Sequence, residues 1–549
     1  MNNGIKLELN RSQWLEFRGE NRVVFSSHPL GSWRAERILS LDSRALHEEL
    51  KTSEQYDDLV LLVQTSEGLY FRSDLTNSRP IFYDKESCWV SDQFPTDSSL
   101  EVDDIAASEY LRFGYVTGDR TLLTGVRRSQ AAEFISLQPG RFSRWDLIGY
   151  QYAQSVLQKE TVEPVAEIDR FLEALDASIQ NSLSMLEGRE RLIVPLSGGH
   201  DSRLLLSQLF RLGFRNVICF SYGEPGNLQS EISRRVATAL GFPWYFVEYT
   251  DENWRELVER GLIREYLLFA HRGVSTPHLL DFLAIHELMV SGIVRKSDIV
   301  LPGHTLDFLA GGHFGELDLN CHDLSGAVNH IITRHSYFSD RRSSDPSAIH
   351  RRLRNKLGNI SIPPEHLQEW FNWRERQTKF ILNSCQTYSF FGLKYATPFW
   401  GAEVVRYWLS VPPGIKRCRK LYFQMEPMML DHRLKAIPFA DNDLSVVKKR
   451  KQRKRNIFHL VPASFISSAV SLIGRRANLN EGMNRIFSGS ARIIEDLVPI
   501  LSSHRIGASP PVKDVLKRRP YQLNPSRLTT LVTLELLLQT RKSNPARYH

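Results

Sequence analysis

The stretch that decides the fold is Leu192-Ile193-Val194-Pro195-Leu196-Ser197-Gly198-Gly199-His200-Asp201-Ser202. An apolar run comes first, a glycine turn follows it, and an apolar helical pattern over 204–209 begins directly afterwards. Two adjacent glycines let the backbone turn tightly, so that its amide groups can approach an anion. The hydroxyls of Ser197 and Ser202 add donors, and the start of the helix adds about half a positive charge. The stretch therefore predicts a phosphate-binding turn between a strand and a helix.

A carboxylate stands among these phosphate donors. Asp201 would repel a bare phosphate, but it suits a site in which it holds Mg²⁺ and the ion bridges the phosphates. No Gly-Lys-Ser/Thr follows the turn, and the turn lacks the Gly-x-Gly-x-x-Gly pattern of dinucleotide folds. The sequence therefore predicts a magnesium-assisted phosphate site that is neither a Walker loop nor a dinucleotide-binding turn.

Strand and helix patterns alternate around this turn. Residues 168, 171, 172, 175 and 179 are apolar at helical spacing, and further apolar runs or helical patterns occur at 217–221, 231–240, 244–249 and 298–301. Such alternation predicts a parallel sheet covered by helices. The region before it reads as mostly strand, because short apolar runs at 59–63, 69–71, 81–83 and 89–90 are separated by polar turns. Antiparallel strands are expected there, with a domain boundary at 153–165.

Composition limits the class of protein. The chain of 549 residues is 42% hydrophobic and carries 70 Lys and Arg against 62 Asp and Glu, for a net charge of +8. Seven of the basic residues lie in 448–455, so the rest of the chain is almost neutral. This basic run is interpreted either as a solvated loop or as a flap that covers an anion. No apolar stretch approaches the roughly 20 residues that span a bilayer, and no signal core begins the chain, which predicts a soluble, cytoplasmic protein. Five scattered cysteines predict reduced thiols rather than disulfides or a zinc site.

The turn resembles a known nucleotide loop. Ser-Gly-Gly-x-Asp-Ser is similar to the pyrophosphate-binding loop (PP-loop) of the ATP pyrophosphatase superfamily, whose HUP-like α/β domains cleave ATP to AMP and PPi and adenylate a substrate. The resemblance implies that Leu196, Ser197, Gly198, Gly199, Asp201 and Ser202 bind ATP with Mg²⁺.

A second segment resembles the asparagine synthetase-like branch of that superfamily. Residues 301–312 contain Gly303, Asp307, Gly311 and Gly312 at the spacing of Gly-x-x-x-Asp-x-x-x-Gly-Gly, whose aspartate is the second magnesium ligand in that family. His304 replaces the glutamate usual in asparagine synthetases, so the group that activates the amine differs. The resemblance extends over about 165–440 and includes Thr397-Pro398-Phe399-Trp400.

Three further positions are implied by the same resemblance. Ser221 and Tyr222 end the second strand, where the family places contacts to adenine, although a packed aromatic is an equal reading of Tyr222. Lys435 loosely matches a lysine that neutralises charge on the phosphates, with a solvated surface lysine as the alternative. Lys448 and Lys449 are other candidates for that lysine.

The first region resembles the N-terminal-nucleophile (Ntn) glutaminase domain of asparagine synthetases. The matching residues are Asp74, Ser78-Arg79-Pro80, Tyr83, Ser91-Asp92, Gly125 and Pro139-Gly140. That chemistry needs a cysteine directly after the initiator Met, but this chain has Asn2, whose side chain is no nucleophile. The resemblance thus implies a glutaminase-like fold without glutaminase activity, as in β-lactam synthetases, lasso-peptide cyclases and synthetase-like proteins of bacterial surface-polysaccharide pathways, the last being most similar.

These observations give one expected function and two rivals. The expected function is an ATP- and Mg²⁺-dependent ligase that adenylates a small-molecule or peptide carboxylate and transfers ammonia or an amine to it. The rivals are a tRNA-modifying PP-loop enzyme and a non-catalytic partner protein. The expected domains are a degenerate amidotransferase domain at 1–155, an ATP-binding domain at 165–460 and a helical extension at 461–549. A homodimer is allowed, and neither membrane nor nucleic acid is expected as a partner.

Overall fold

The first region of the chain folds into two β-sheets. The computed structural model describes residues 5–27, 32–54, 57–84, 86, 88–95, 100–147, 163–183, 190–315, 321–336, 346–440, 529–530, 533–534 and 536–537. Its first ten strands are β1 (Lys6–Glu8), β2 (Leu15–Arg18), β3 (Arg22–Ser26), β4 (Leu61–Thr65), β5 (Leu69–Arg72), β6 (Phe82–Asp84), β7 (Trp89–Ser91), β8 (Arg127–Arg128), β9 (Glu133–Gln138) and β10 (Arg141–Asp146). Four of them form the sheet β1-β7-β6-β8, and six form the sheet β10-β9-β5-β4-β3-β2. The predicted β4–β5 and β6–β7 hairpins are confirmed, whereas β1 pairs with β7 in parallel.

Three helices in this region correct the expectation of mostly strand. They are α1 (Ser32–Ser40), α2 (Ser43–Thr52) and α3 (Asp104–Phe113). The Asp42 carboxylate caps α2 by accepting from the Ala45 amide, and Asp103 caps α3 in the same way. The apolar face of α2 is narrow, with only Leu46 and Leu50 fully buried against the six-stranded sheet, so its sequence pattern was weak.

A five-stranded parallel sheet follows and confirms the predicted α/β architecture. Its strands are β11 (Leu192–Pro195), β12 (Val217–Gly223), β13 (Trp244–Glu248), β14 (Ile299–Val300) and β15 (Lys394–Tyr395), in the spatial order β13-β12-β11-β14-β15. Leu192 pairs with Val217 on one side and with Ile299 on the other. The two-residue edge strand β15 was not predicted from the sequence. The strand order reverses between β11 and β14, as in doubly wound folds.

Helices cover this sheet. They are α4 (Pro164–Leu183), α5 (Asp201–Arg211), α6 (Leu228–Leu240), α7 (Asp251–Glu259), α8 (Leu262–Ala270), α9 (Phe282–Val290), α10 (Leu306–Leu309), α11 (Leu324–His335), α12 (Pro346–Leu357), α13 (Leu367–Phe371), α14 (Gln386–Phe390), α15 (Ala402–Ser410), α16 (Pro413–Lys416) and α17 (Lys420–Met429). A π-helical segment, Asn372–Ile381, continues α13. The predicted apolar face of α4 is buried, because Phe171, Leu175 and Ile179 have no exposed surface.

Buried ionic contacts join the β-rich region to the helices. The Glu375 carboxylate, on the π-helical segment, accepts from the Gly118 amide at 3.0 Å and from Lys379 Nζ at 2.5 Å. Lys379 also donates to the carbonyl oxygens of Val116 and Gly118. Because every one of these groups is buried, the two regions are held together by satisfied polar contacts as well as by apolar packing.

Several expectations lie outside the described residues. They concern Asn2, the boundary at 153–165 in part, the basic run 448–455 and nearly all of 461–549. Within the described ranges, no helix has both the length and the apolar character needed to cross a bilayer.

Candidate nucleotide-binding site

The two predicted motifs lie side by side at the point where the strand order reverses. The turn 196–200 follows β11, and the segment 302–306 follows its neighbour β14. In open α/β sheets, ligands bind in the crevice outside the carboxyl ends of the strands at this position. The fold therefore brings together two segments that are about a hundred residues apart in the sequence.

The PP-loop turn is held by its own serines. Ser202 Oγ accepts from the Ser197 amide at 3.2 Å, and the two serine hydroxyls lie 3.1 Å apart. Ser197 Oγ also accepts from the Gly199 amide at 3.2 Å. Leu196 is buried, and its amide donates to the carbonyl of Phe220 on β12. These contacts hold the turn against the first residues of α5, where the amides of a helix start have no acceptor within the helix.

Gly303 allows the second segment to approach the first. A Cβ atom on Gly303 would lie 2.8 Å from the backbone nitrogen of Ser202 and 2.9 Å from its Cα. Real Cβ atoms do not come this close to backbone atoms. The glycine pair of the same motif is equally constrained, since a Cβ on Gly312 would lie 2.6 Å from the Asp307 carbonyl oxygen. The motif's glycines are thus close-approach positions.

The two predicted magnesium ligands meet across this contact. The backbone amide of Asp307 donates to Asp201 Oδ2 at 3.1 Å. Burial, together with the charge of Asp307, raises the pKa of Asp201 to about 8. For Asp307 burial acts in the same direction, but the hydrogen bond from His313 and the charges of His313 and Arg419 outweigh it and lower its pKa. His313 Nε2 lies 3.3 Å from Asp307 Oδ2.

This donor set fits Mg²⁺. Two carboxylates approach each other in a poorly solvated crevice, with Arg419 as a charged neighbour of both. Oxygen ligands from one or two carboxylates are what Mg²⁺ takes beside substrate phosphates. Asp201 and Asp307 would hold the ion, which would neutralise charge on the phosphates. No group of three or more His, Cys, Asp or Glu side chains placed to hold a metal occurs among the described residues.

Two side chains inside the turn and its helix hold a later segment of the chain, a role that the sequence reading missed. The His200 ring stacks on the Phe439 ring with 4.0 Å between the ring centroids. The Arg203 guanidinium also lies over the Phe439 ring, 3.8 Å from its centroid. Arg203 also donates to the carbonyls of Ile437 and Pro438, and the Ala440 amide donates to the Gly198 carbonyl. The segment 437–440 is thus fixed directly on the PP-loop turn.

A buried carboxylate completes this contact. Glu426, on α17, lies 2.8 Å from His200 Nδ1 and accepts a hydrogen bond from the Tyr422 hydroxyl. His200 and Glu426 are more than 200 positions apart, so their contact leaves no periodic pattern in the sequence. The local sign of it is the form His-Asp-Ser-Arg after the two glycines.

Ser221 and Tyr222 use their side chains within the fold. Ser221 Oγ donates to the Leu196 carbonyl at 2.5 Å, which ties β12 to the start of the PP-loop turn. The Tyr222 ring stacks on Tyr249 at 4.9 Å, and its hydroxyl donates to Asp281 at 2.6 Å. The packed-aromatic reading of Tyr222 therefore describes its ring, while the backbone of both residues lies at the carboxyl end of β12.

Lys435 and His304 have different surroundings. Lys435 is exposed, and its ammonium has no hydrogen bond or ion pair within the described part of the chain. His304 Nε2 lies 2.9 Å from Ser384 Oγ, and burial lowers its pKa, so the imidazole stays neutral at pH 7. A neutral imidazole three positions before Asp307 can accept a proton.

Comparisons with known proteins found a distant sequence relative and a solved structure. No family model matches the chain. It is 26% identical over 153 residues to a tRNA-5-methyluridine(54) 2-sulfurtransferase of Thermus thermophilus, which is 27% of this chain and 45% of that protein. The chain thus spans less than half the length of this curated relative. A solved structure, the U34-tRNA thiolase NcsA from Methanococcus maripaludis with its [4Fe-4S] cluster, overlaps at a TM-score of 0.18 and 12% identity, covering 37% of this chain and 78% of that one.

A TM-score of 0.18 does not show a shared fold. The sequence match and the geometry of the site are considered instead. The Ser-Gly-Gly-x-Asp-Ser turn lies at the switch point of a parallel sheet, and its aspartate meets a second one from the neighbouring strand. This arrangement is consistent with the resemblance of the turn to the pyrophosphate-binding loop, and the sequence match is to a tRNA sulfurtransferase.

Proposed function

We propose that the chain is an ATP-dependent, AMP-forming ligase that joins ammonia or an amine to a substrate carboxylate. The observation that carries the proposal is the contact between the Asp307 amide and the Asp201 carboxylate, which places two magnesium-ligand candidates at the mouth of a PP-loop turn. ATP and Mg²⁺ are the expected cofactors, and the carboxylate to be activated is a small molecule or a peptide.

The chain's own groups would work by positioning and charge neutralisation. The amides of the turn and of the first residues of α5 would bind the β- and γ-phosphates, and the hydroxyls of Ser197 and Ser202 would keep that turn in shape. Asp201 and Asp307 would hold Mg²⁺, whose charge assists departure of PPi. His304 would take the proton that the attacking amine loses, and Lys435 would supply positive charge from the segment that Phe439 anchors.

The amide-forming part of the proposal rests on the order of the two regions along the chain as well as on the nucleotide site. The β-rich region before the ATP-binding region resembles a glutaminase domain that lacks its nucleophile at Asn2, so the nitrogen would come from free ammonia or from an amine of the substrate. On the same resemblance we propose that the chain divides into domains at 1–155, 165–460 and 461–549. It would belong with the synthetase-like proteins of surface-polysaccharide pathways and form a homodimer.

Two assays test this proposal in order. Binding of ATP with Mg²⁺ to the full-length chain is measured first by calorimetry, and PPi exchange into ATP is then measured with a panel of small carboxylates and peptides. Asp307→Asn should abolish magnesium-dependent ATP binding. Glu231→Gln is the matched control, because Glu231 is an exposed carboxylate at a helix start that contacts only Arg234 among the described residues. Absence of magnesium-dependent ATP binding by the wild-type chain would refute the proposal and leave a non-catalytic partner protein.

A tRNA-modifying enzyme is the second candidate. Its supporting observation is the match to the Thermus thermophilus sulfurtransferase, whose name states that it acts on tRNA. Binding of unmodified tRNA at increasing salt is the discriminating measurement, since phosphate contacts make affinity fall steeply with salt. Tight, salt-sensitive tRNA binding without carboxylate-dependent PPi exchange would favour this candidate over the ligase.

A further inference from the structure

Three arginines meet between the β-rich region and the parallel sheet. Arg128 lies on β8, Arg79 lies in the turn before β6, and Arg272 lies in the turn after α8. Arg272 is within electrostatic reach of both others. We call these three residues the junction arginines. Their positive charges gather at one place although the chain as a whole is almost neutral outside 448–455.

Among the described residues, the side chains of the junction arginines have no hydrogen-bond acceptor. Arg128 is 94% buried, with 6% of its surface exposed, and its Nε atom has no hydrogen-bond partner. The same holds for Nη1 of Arg79, whose guanidinium lies over the Trp14 ring at 5.8 Å. Within the described ranges, no hydrogen bond or ion pair reaches the guanidinium of any of the three. A buried guanidinium without a partner is costly, so this arrangement requires an explanation.

The carboxylates nearest to the junction arginines are committed elsewhere. Asp74, Asp92 and Glu375 lie within electrostatic reach of one or two of them. Asp74 accepts from the amides of Thr76 and Ser78, Asp92 from the Asn10 amide and Trp14 Nε1, and Glu375 from the Gly118 amide and Lys379 Nζ. Each of these carboxylates is thus positioned by other donors, and none forms an ion pair with a junction arginine among the described residues.

Tyr395 adds a further donor to the same place. It ends β15 and is within electrostatic reach of Arg79 and Arg272, and its hydroxyl forms no hydrogen bond with any described residue. Three guanidinium groups and a phenol that all lack acceptors, and that come from both regions of the chain, form a built set of donors. Guanidinium groups match the paired oxygens of carboxylates and phosphates better than any other side chain.

We propose that the junction arginines bind an oxyanion, a carboxylate or phosphate group of a small ligand, with Tyr395 as an additional donor. The ligand would contact the β-rich region through Arg79 and Arg128 and the parallel-sheet region through Arg272 and Tyr395. This is a second site. It lies at the end of β15, two strands or about 10 Å across the sheet from the PP-loop strand β11. It does not depend on the adenylation chemistry proposed above.

The electrostatics agree with this assignment. Burial and the neighbouring charge of Arg272 lower the pKa of Arg128 to about 9, and the charge of Glu375 offsets these effects only in part. A bound anion would supply further negative charge, so the folded chain should be more stable with the anion than without it.

The test measures thermal stability of the full-length chain against anion concentration, without nucleotide. Inorganic phosphate is titrated in one arm and succinate in the other, each against sodium chloride at equal ionic strength. A saturable rise in melting temperature is expected in at least one arm, and the arm with the lower midpoint identifies the group as phosphate or carboxylate. Arg128→Gln should raise the midpoint at least about tenfold.

Arg127→Gln is the matched control. Arg127 is the neighbour of Arg128 on β8, but its side chain is 32% exposed and faces Asp119 at 3.6 Å. The Arg127→Gln variant should keep the wild-type midpoint. General salt effects and phosphate binding at the PP-loop act equally on both variants, so they do not affect the comparison of Arg128→Gln with Arg127→Gln. If Arg128→Gln fails to fold, Arg272→Gln carries the test with the same expectation. Equal midpoints in all variants, or no saturable rise in the wild type, would overturn the proposal.

Discussion

Substitution of Gly303 by alanine tests whether the two-segment contact builds the nucleotide site. The added Cβ would lie 2.8 Å from the Ser202 nitrogen, while ordinary van der Waals contact begins at 3.4 Å. The segments must therefore separate by about 0.6 Å, or strain must be stored. Both opposing atoms belong to the backbone at the start of α5, so no side-chain rotation relieves the clash. Overpacking of this kind costs roughly 1–3 kcal/mol of unfolding free energy.

The larger effect of Gly303→Ala should fall on ligand binding. The separation acts between Asp201, next to Ser202, and Asp307 on the other segment. Metal–ligand distances tolerate changes of only about 0.2 Å. We therefore expect magnesium-dependent ATP affinity, measured by calorimetry, to fall by at least about tenfold, while urea unfolding shows the modest loss of stability given above.

Gly414→Ala is the control for this prediction. Gly414 lies on α16, and a Cβ there would have nothing within 4 Å. Alanine is the better helix former, so stability should stay equal or rise slightly. If Gly303→Ala binds ATP with Mg²⁺ as tightly as the wild type and Gly414→Ala, the two segments do not form the magnesium site together, and the reasoning fails.

Three further predictions concern buried contacts. In magnesium-free buffer, Asp201→Asn should raise the melting temperature relative to wild type, and the difference should grow between pH 4 and 8. The reason is that the raised pKa of Asp201, about 8, makes its ionisation oppose folding across that range. A constant difference in melting temperature over this range would contradict the assignment. Phe439→Ala should remove the ring on which His200 stacks and lower stability in urea by about 1–3 kcal/mol, with weaker ATP binding; unchanged ATP affinity would separate this segment from the site. Lys379→Met removes one of the two ammonium groups that contact the buried Glu375 carboxylate, Lys356 being the other, and should cost about 1–3 kcal/mol in the same assay; a neutral result would show that Lys356 alone satisfies the carboxylate.

The parts of the fold that follow from local pattern could be predicted. The strand, glycine turn and helix around Ser197 needed no distant information, and the alternation of apolar runs predicted the parallel sheet. Gly303 and Asp307 are predicted as site residues by the resemblance of residues 301–312 to the asparagine synthetase-like segment, not by local pattern. By contrast, β15 has only two residues, and its position is fixed by backbone pairing with β14 rather than by any pattern of its own.

The site residues that sequence reading missed are those whose partners are distant. Arg203 sits one residue after the predicted PP-loop motif, but its acceptors at 437 and 438 are more than 230 positions away. Spacing within a motif reports which groups can reach a common ligand. It does not report which side chain anchors a later segment, and that information is carried by tertiary contacts alone.

The departures from ordinary stability rules fall at two places in this chain. At the PP-loop, Asp201 and Asp307 crowd each other, and Gly303 approaches a backbone too closely for any side chain. At the junction, Arg128 is buried without an acceptor while every nearby carboxylate is committed. Folding by itself favours neither arrangement, since a hydrophobic residue would be more stable at Arg128 and an amide more stable at Asp201. A bound cation at the first place and a bound anion at the second would each offset this cost, so the same physical argument supports both proposed sites.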